Sequence, residues 1–441
     1  MSRSLVAGIV AVLALVATAL AGAPALAQGK SSSGSTDVGI TPTTIRVAVV
    51  ADVDNQVVPG VLQGIVDGVQ GWGKYVNANG GIAKRKVQVD FIDSHLDANA
   101  ARNAIIKACS EDFALVGTSA LLLQTVDDEV NCADSTGKAT GLPDLASIPT
   151  TAAEGCAPNA FPITPTSGEC STVHSSPQTY RANNGDSKYF LKTFGNLHGS
   201  FVLANDSPSV RQSSTILFKA AQAAGVKSDH EWPVSGFAPQ TVYTPIIQGM
   251  KSDNSNYGLS LQAVTGVVQE RQEAQLQGLT DPKIVWECTL ACYYDKGFVK
   301  AGSAVDGEYM PLTFLPFTET SANKTLANFV KYVGKDKLSG FASWGFTAGL
   351  LFQQAANAVV AKDGNNGLTR ANLLAELKTI HDFNGGGMVG TTDIGNKVPT
   401  SCFLLEQYKN AKFVRVYPTK QGTFDCKSSN LYTFKEDLNN Q

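Results

Sequence analysis

The stretch from Thr44 to Ser119 most constrains what this chain can fold into. Residues 45–50, Ile-Arg-Val-Ala-Val-Val, form a short β-branched run that is typical of a strand buried on both faces. A polar loop follows at 51–60. Apolar residues then recur at three- and four-residue steps from Val61 to Val76, which predicts a helix with one apolar face.

The same alternation continues beyond this helix. Asn79-Gly80-Gly81 predicts its end, since Asn and Gly accept the left-handed C-cap conformation. Residues 87–91 alternate as a second strand, a second helix runs to Lys107, and residues 113–116 form a third strand. Strand, helix, strand, helix, strand predicts a parallel sheet with right-handed crossovers. In such a sheet ligands bind beyond the carboxyl ends of the strands.

A second unit of similar size follows after a long irregular segment. Residues 147–179 are rich in Pro, Ser, Thr and Gly, which predicts a loop leading to another lobe. From Ser187 to Ala301 strand and helix patterns alternate again, so we expect two α/β lobes with a cleft between them. The last part predicts helices around residues 326–380 and a β-hairpin at 402–417.

Three phrases show a family resemblance. They are Asn77-Ala78-Asn79-Gly80-Gly81-Ile82, Phe113-Ala114-Leu115-Val116-Gly117, and Phe383-Asn384-Gly385-Gly386-Gly387-Met388-Val389-Gly390. Together they resemble the branched-chain amino acid (Leu/Ile/Val) type of solute-binding protein that serves ABC importers. The resemblance spans about residues 42–417, and both the 147–185 region and the last twenty residues depart from it. It implies the type I periplasmic-binding fold, an α/β architecture of two Rossmann-like lobes with parallel-rich sheets joined by a three-segment hinge.

This resemblance also implies a domain organisation. Lobe one is expected at 42–166 plus 312–400, and lobe two at 167–311 plus 401–441. Residues 28–41, rich in Gly and Ser, predict a flexible linker ahead of lobe one.

An export signal is predicted at residues 1–27. Arg3 gives a basic start, Leu5 to Leu20 an apolar run too short for a membrane span, and Ala25-Leu26-Ala27 a small-x-small cleavage site. Since no cysteine lies near that site, we expect a protein of the periplasm or cell envelope that is not lipid-anchored. Release into the medium stays open.

Charge and cysteine content limit the classes of ligand and the compartment that the sequence favours. The chain has 35 Lys and Arg against 38 Asp and Glu, so nothing favours nucleic acid or an anionic membrane. Eight cysteines in an exported chain favour disulfides, and eight permit 105 connectivities. The five histidines form no spaced pair for zinc, and we expect neither a metal nor a cofactor. Pairing in sequence order gives Cys109–Cys132, which has a counterpart in the resembled family, Cys156–Cys170, Cys288–Cys292 and Cys402–Cys426.

Candidate ligand residues of lobe one follow its strands. Asp52 and Gln56 lie in the first loop. Thr118 and Ser119 come after the third strand, where hydroxyls and helix amides suit a polar or anionic group, and the alternative is that they only cap a helix beginning near Leu121. The resemblance adds Ser147 and Thr150, which match the family's small, Thr-containing signature loosely.

Lobe two offers fewer candidates. Asp206 and Ser207 end a strand, although Ser207 as helix N-cap is a complete structural explanation. Glu287 ends another strand and could receive an ammonium group, the alternative being a solvated rim residue. Phe314 lies near a predicted crossover.

The sequence favours a binding protein over an enzyme. It has no Gly-x-Ser-x-Gly elbow, Walker loop or His-Glu-x-x-His motif. We therefore expect a monomer that captures a small polar or amphipathic ligand, amino acid-like by family default, and delivers it to ABC permease subunits. The alternatives are a secreted α/β hydrolase and a ligand-sensing receptor module.

Overall fold

The computed structural model describes residues 34–56, 58–206 and 208–438. The predicted export signal, the first residues of the predicted linker, and Ser207 lie outside them. None of the described helices combines the length and apolar character needed to cross a bilayer.

A four-stranded parallel sheet confirms the alternation of strands and helices predicted for residues 44–119. Its order is β2-β1-β3-β4, and every pairing is parallel. Val47, Val49 and Val50 of its central strand are fully buried, as the β-branched run predicts. The strands are β1 (Thr44–Ala51), β2 (Lys86–Asp93), β3 (Ala114–Val116) and β4 (Asp144–Leu145).

The first helix behaves as its periodicity predicts, but a later one is shorter. Trp72 is fully buried, and the first helix ends at Asn79, followed by Gly80 at φ 96°. The helix predicted from Leu121 to Val130 covers only its last four residues. The Leu121 amide donates to the Asp52 carboxylate (2.7 Å), and residues 121–126 lie outside any helix. The helices around this sheet are α1 (Gln63–Ala78), α2 (Ala98–Glu111), α3 (Asp127–Val130) and α4 (Ala152–Cys156).

A second, seven-stranded sheet follows the order β12-β11-β10-β9-β8-β6-β7. Strands β6 to β10 are parallel where they pair, while β10, β11 and β12 pair antiparallel. Strands β11 and β12 form the predicted hairpin. The strands are β6 (His198–Ala204), β7 (Lys227–Val234), β8 (Tyr257–Leu261), β9 (Val285–Cys288), β10 (Tyr309–Leu312), β11 (Leu404–Lys409) and β12 (Lys412–Tyr417).

The remaining helices include a long one that packs closely on α1. A long helix, α11, packs on α1, and ideal Cβ atoms at Gly68 and Gly349 would lie 2.1 Å from Ala342 O and 2.2 Å from the Trp72 ring. The two helices therefore approach at a distance that only glycine permits. The remaining helices are α5 (Gly185–Phe194), α6 (Pro208–Ala224), α7 (Tyr243–Ser252), α8 (Val264–Leu276), α9 (Lys296–Lys300), α10 (Lys324–Val333), α11 (Gly340–Asp363) and α12 (Arg370–Leu377).

The two segments that depart from the family pattern pair with each other. Strand β5 (Gln178–Asn183) and strand β13 (Leu431–Glu436) form a separate antiparallel sheet. The predicted loop at 147–179 is thus not structureless, since it contains α4 and leads directly into β5. The long segment is ordered by a partner that lies far away in the sequence.

Residues 34–41 of the predicted flexible linker are held against the body of the protein, which corrects that prediction. The fully buried Arg85 guanidinium donates to the carbonyl oxygens of Gly34 (2.7 Å) and Thr41 (2.9 Å). Asp37 accepts from the backbone amide of Arg370 at 2.7 Å. Long-range hydrogen bonds order a segment whose composition alone indicates a tether.

The cysteines form the four pairs that sequence order gives. The Cα–Cα distances are 5.8 Å for Cys109–Cys132, 5.3 Å for Cys156–Cys170, 6.7 Å for Cys288–Cys292 and 3.9 Å for Cys402–Cys426. The precise lobe boundaries stay a prediction.

A cavity at the carboxyl edge of the seven-stranded sheet, with an apolar wall and a carboxyl pair

A cavity of about 350 Å³ lies where the seven-stranded sheet faces helix α11. Leu261, Cys288 and Leu312 line it, and each is the last residue of its strand, β8, β9 and β10. Trp344 and Thr347 of α11 line the opposite side. The carboxyl ends of parallel strands meet at one edge of a sheet, which is where α/β proteins bind ligands.

The wall of this cavity is mostly apolar. Side chains from α6, from β8 and from the segments after α12 and before β11 contribute to it. These residues are Leu217, Leu259, Leu261, Phe383, Val389 and Phe403. A wall of this kind takes up the apolar body of a solute, and a few polar groups then fix its orientation.

Two acidic side chains meet at the cavity. Asp186 lies in the first turn of α5 and Glu287 near the end of β9, and both line the cavity. The two carboxyls lie close enough for each to affect the pKa of the other. The Tyr257 hydroxyl donates to Glu287 Oε2 (2.6 Å), and the Ser187 amide donates to Asp186 Oδ1 (2.6 Å).

Burial shifts the pKa of both carboxyls upward. It raises the pKa of Asp186, and burial together with the Asp186 charge raises the pKa of Glu287 well above its ordinary value. Glu287 is only 3% exposed, so it is not a solvated rim residue. Both shifts favour the protonated form of a carboxyl, and the stronger shift is that of Glu287.

Positive charge at the cavity is already paired. Among the described residues that line it, Arg181 of β5 is the only Lys or Arg. Its guanidinium lies 3.2 Å from Glu169 Oε1. The pairing of β5 with β13 places Arg181 in the wall, so the segments that depart from the family pattern help to shape the cavity.

Of the predicted residues in the first loop and the β3 loop, Asp52, Thr118 and Ser119 are buried and hydrogen-bond within the protein. The buried Asp52 accepts from the Ser94 hydroxyl (2.6 Å) and from the amides of Leu96 and Leu121 (both 2.7 Å). Gln56 is exposed, and none of these described side chains lines the cavity. The hydroxyls of Thr118 and Ser119 are buried, and they donate to Asp144 (2.7 Å) and to the Gly117 carbonyl (3.1 Å).

The other predicted residues that the structure describes, apart from Glu287, do not line the cavity, and the Ser147 amide donates to the Thr118 carbonyl oxygen (3.0 Å). Ser147 is buried, Thr150 donates its amide and hydroxyl to Glu154 (2.7 and 2.8 Å), and Phe314 packs in the core 5.6 Å from the Tyr293 ring. Asp206 is exposed and accepts from Gly236 N at 3.0 Å. Of the predicted set, the structure brings Glu287 to the cavity, and ligand contact by the others stays a prediction.

A buried carboxyl cluster lies beneath the β3 and β4 loops. Glu129, Asp144 and Glu154 are almost fully buried. Burial raises the pKa of Asp144 to about 7 and, with the Asp144 charge, that of Glu154 to about 8. The pKa of Glu129 is also well above its ordinary value, because of burial and the same neighbours. No group of His, Cys, Asp and Glu suited to a metal ion occurs within the described ranges.

Sequence reasoning missed Asp186 and Tyr257. Asp186 stands in Gly185-Asp186-Ser187, which reads only as the start of a helix, and Tyr257 reads as an ordinary strand residue. The position of Asp186, in the first turn of the helix that follows the long irregular segment, is a weak signal that does not reveal its proximity to Glu287.

Comparison with known proteins agrees with this geometry. A family model described as "Periplasmic binding protein" matches residues 44–412. The chain belongs to this family. No curated protein matches the sequence.

Solved structures share the fold of this periplasmic binding protein. A substrate-binding protein of an ABC transporter from Aeropyrum pernix matches with a TM-score of 0.65 at 15% identity, over 90% of this chain and 98% of that one. A leucine-binding protein from Thermotoga maritima gives 0.63 at 14%, over 84% and 97%. A fatty acid ABC transporter substrate-binding protein from Thermomonospora curvata gives 0.63 at 15%, over 88% and 97%. The predicted type I periplasmic-binding fold is confirmed.

Proposed function

We propose that this protein is the exported solute-binding component of an ABC importer. It captures a small amphipathic molecule between its lobes and presents the closed form to permease subunits in the membrane. Family membership supports this role, as do neighbours named as ABC transporter substrate-binding proteins. The observation that carries the proposal is the cavity of about 350 Å³ with its apolar wall and carboxyl pair.

The position of the cavity supplies the mechanism. Glu287 and Leu217 line it from the predicted lobe two, and Trp344 and Thr347 line it from the predicted lobe one. A solute that contacts both lobes binds the closed arrangement better than the open one. The equilibrium therefore shifts towards closure by the difference between the two affinities.

The proposal includes place and partners. The protein works as a monomer in the cell envelope, exported by residues 1–27, and returns its ligand chemically unchanged. A hydrolase would consume the solute, and a sensor would engage a signalling partner instead of a permease.

The test is a thermal-shift screen of the exported form against amino acids, amides, aromatic acids, fatty acids, amines and sterol-like compounds. A solute at 100 times its dissociation constant adds about 2.7 kcal/mol to the free energy of unfolding. Mass spectrometry of the recovered solute then separates binding from turnover. Product formation would overturn the proposal.

A matched pair of variants locates the site. Leu217→Trp places a larger side chain at the cavity, at a residue that is 39% exposed, so the fold tolerates it. Leu276→Trp makes the same change at a residue of α8 that is 75% exposed and does not line the cavity. The first variant is expected to weaken binding and the second to leave it unchanged.

A further inference from the structure

We propose that the cavity selects solutes that join one cationic amine to an apolar body, with Asp186 and Glu287 together as the receptor for the amine. The inference rests on the proposed function and names the substrate class of the same site. It differs from the amino acid default that the family resemblance implies, because it assigns no receptor for a carboxylate.

Two carboxyls held by neighbouring hydrogen-bond donors form the receptor. Asp186 lies in the first turn of α5 and Glu287 near the end of β9, two elements separated by about a hundred residues, yet both line the same cavity. The Tyr257 hydroxyl and the Ser187 amide each hold one oxygen of the pair at 2.6 Å. The carboxyls are thus fixed in place before a ligand arrives, which lowers the entropic cost of binding.

A protonated amine can take the place of a proton between the two carboxyls. An ammonium group has three donors and no acceptor, so it can donate to both carboxyls at once. The raised pKa of Glu287 favours a proton on this carboxyl in the free protein, and the ammonium displaces that proton to the solvent. Binding therefore exchanges one proton for one organic cation and leaves the local charge nearly unchanged.

The cavity disfavours anionic solutes. A carboxylate ligand would meet two acidic groups, and the only described Lys or Arg at the cavity, Arg181, already pairs with Glu169. Burying an unpaired anion against the apolar wall is costly. Amphipathic anions are consequently rejected, while a neutral solute loses only the charge-assisted bonds.

The titratable groups that face Glu287 come from several elements. They are Asp186 on α5 and Glu308 just before β10, whose charges disfavour the ionised form of Glu287, and Tyr257 on β8, whose donated hydrogen bond favours it. An arriving ammonium reverses this preference, since an opposite charge favours the ionised carboxyl. Amine affinity is therefore expected to rise with pH while the amine itself stays protonated.

The test is calorimetric titration of the exported form with octylamine, 1-octanol and octanoate, which share one apolar chain. Octylamine is expected to bind at least about tenfold more tightly than 1-octanol, and octanoate to bind most weakly. Titration in buffers of different ionisation enthalpy should show one proton released per octylamine. Octanoate binding as tightly as octylamine would overturn the assignment, as would no binding of octylamine.

Variants assign the roles within the pair. Asp186→Asn should lower octylamine affinity about tenfold or more and leave 1-octanol unchanged. Glu287→Gln, which keeps an acceptor for Tyr257, should abolish proton release. Asp336→Asn, an exposed residue that does not line the cavity, is the matched control. Unchanged octylamine affinity in Asp186→Asn contradicts the proposal.

Failure of this inference is distinguishable from failure of the proposed function. If 1-octanol binds, is lost in Leu217→Trp, and octylamine shows no preference, the solute-binding role stands and only the amine receptor is wrong. If the wider screen of solutes finds turnover, the proposed function itself fails.

Discussion

The hydroxyl of Tyr257 donates a hydrogen bond of 2.6 Å to Oε2 of Glu287 inside the seven-stranded sheet. Strands β8 and β9 pair in a register that puts Leu259 opposite Glu287, so Tyr257 is its diagonal neighbour on the sheet. Both residues are almost fully buried, at 0% and 3% exposed. This buried hydrogen bond therefore fixes the position of the Glu287 carboxyl at the cavity.

Tyr257→Phe should therefore affect both stability and binding. It leaves a buried acceptor without its donor, which should lower the free energy of unfolding by about 1–3 kcal/mol. Solute affinity should fall as well, because Glu287 loses its fixed position. Denaturant unfolding and titration measure the two effects. Tyr309→Phe, in the same core cluster, removes a hydroxyl with no hydrogen bond to another described residue and should change little.

Arg415→Met should be strongly destabilising. Arg415 on β12 and Glu319 form a two-bond ion pair whose side chains are 8% and 2% exposed, and Glu319 also accepts from the Gly422 amide at 2.8 Å. Removing one partner of a buried pair costs about 3–5 kcal/mol. The exposed pair Arg102–Asp128 gives the control, since Arg102→Met should cost under about 1 kcal/mol. Equal losses in urea unfolding would contradict the prediction.

The buried carboxyl cluster makes stability depend on pH. The pKa of Glu154 rises from 4.5 in the unfolded chain to about 8 in the folded one, so the folded form binds more protons throughout that window. The free energy of unfolding should fall as pH rises through the window, by up to about 1.4 kcal/mol per pH unit for one group.

Glu154→Gln tests this sign. It keeps an oxygen for the Thr150 hydroxyl and amide but cannot ionise, so the fall in stability with pH should become less steep. Asp382→Asn, at an exposed carboxylate, should leave the slope as it is. The measurement is urea unfolding at several pH values between 5 and 8, and a steeper fall in Glu154→Gln would sink the idea.

Two glycines in helices should respond in opposite ways to alanine. Gly349→Ala in α11 would place a Cβ 2.2 Å from the Trp72 ring and should destabilise by about 1–3 kcal/mol. At Gly249 in α7 the nearest atom is 3.5 Å away and φ is negative, so Gly249→Ala should stabilise by up to about 1 kcal/mol. Melting temperatures that shift in the same direction would contradict this.

The fold was predictable because its signals are local. The apolar period that buries Trp72, the β-branched run at 45–50 and the Asn79-Gly80-Gly81 stop each lie within one element. Where the sequence misled, a distant partner intervened. Arg85 orders residues 34–41, and Asp52 binds the Leu121 amide in a segment whose pattern predicted a helix.

The site was predictable only in part, for a related reason. Glu287 was found because it ends a strand, and strand ends of one sheet meet at one edge. Asp186 and Tyr257 come from elements 101 and 30 residues away, and no local pattern indicates that they meet Glu287. The hydroxyls of Thr118 and Thr150 matched the expected place, but their bonds to Asp144 and Glu154 depend on the packing of the β3 and β4 loops.

The measurement that tests the central claim most directly is a calorimetric titration of the exported form with the best solute from the screen, followed by chemical analysis of that solute. The account predicts one solute per chain, recovered unchanged, with affinity lost in Leu217→Trp and kept in Leu276→Trp. A solute that is converted to product, or that binds Leu217→Trp as well as the unaltered protein, would contradict it.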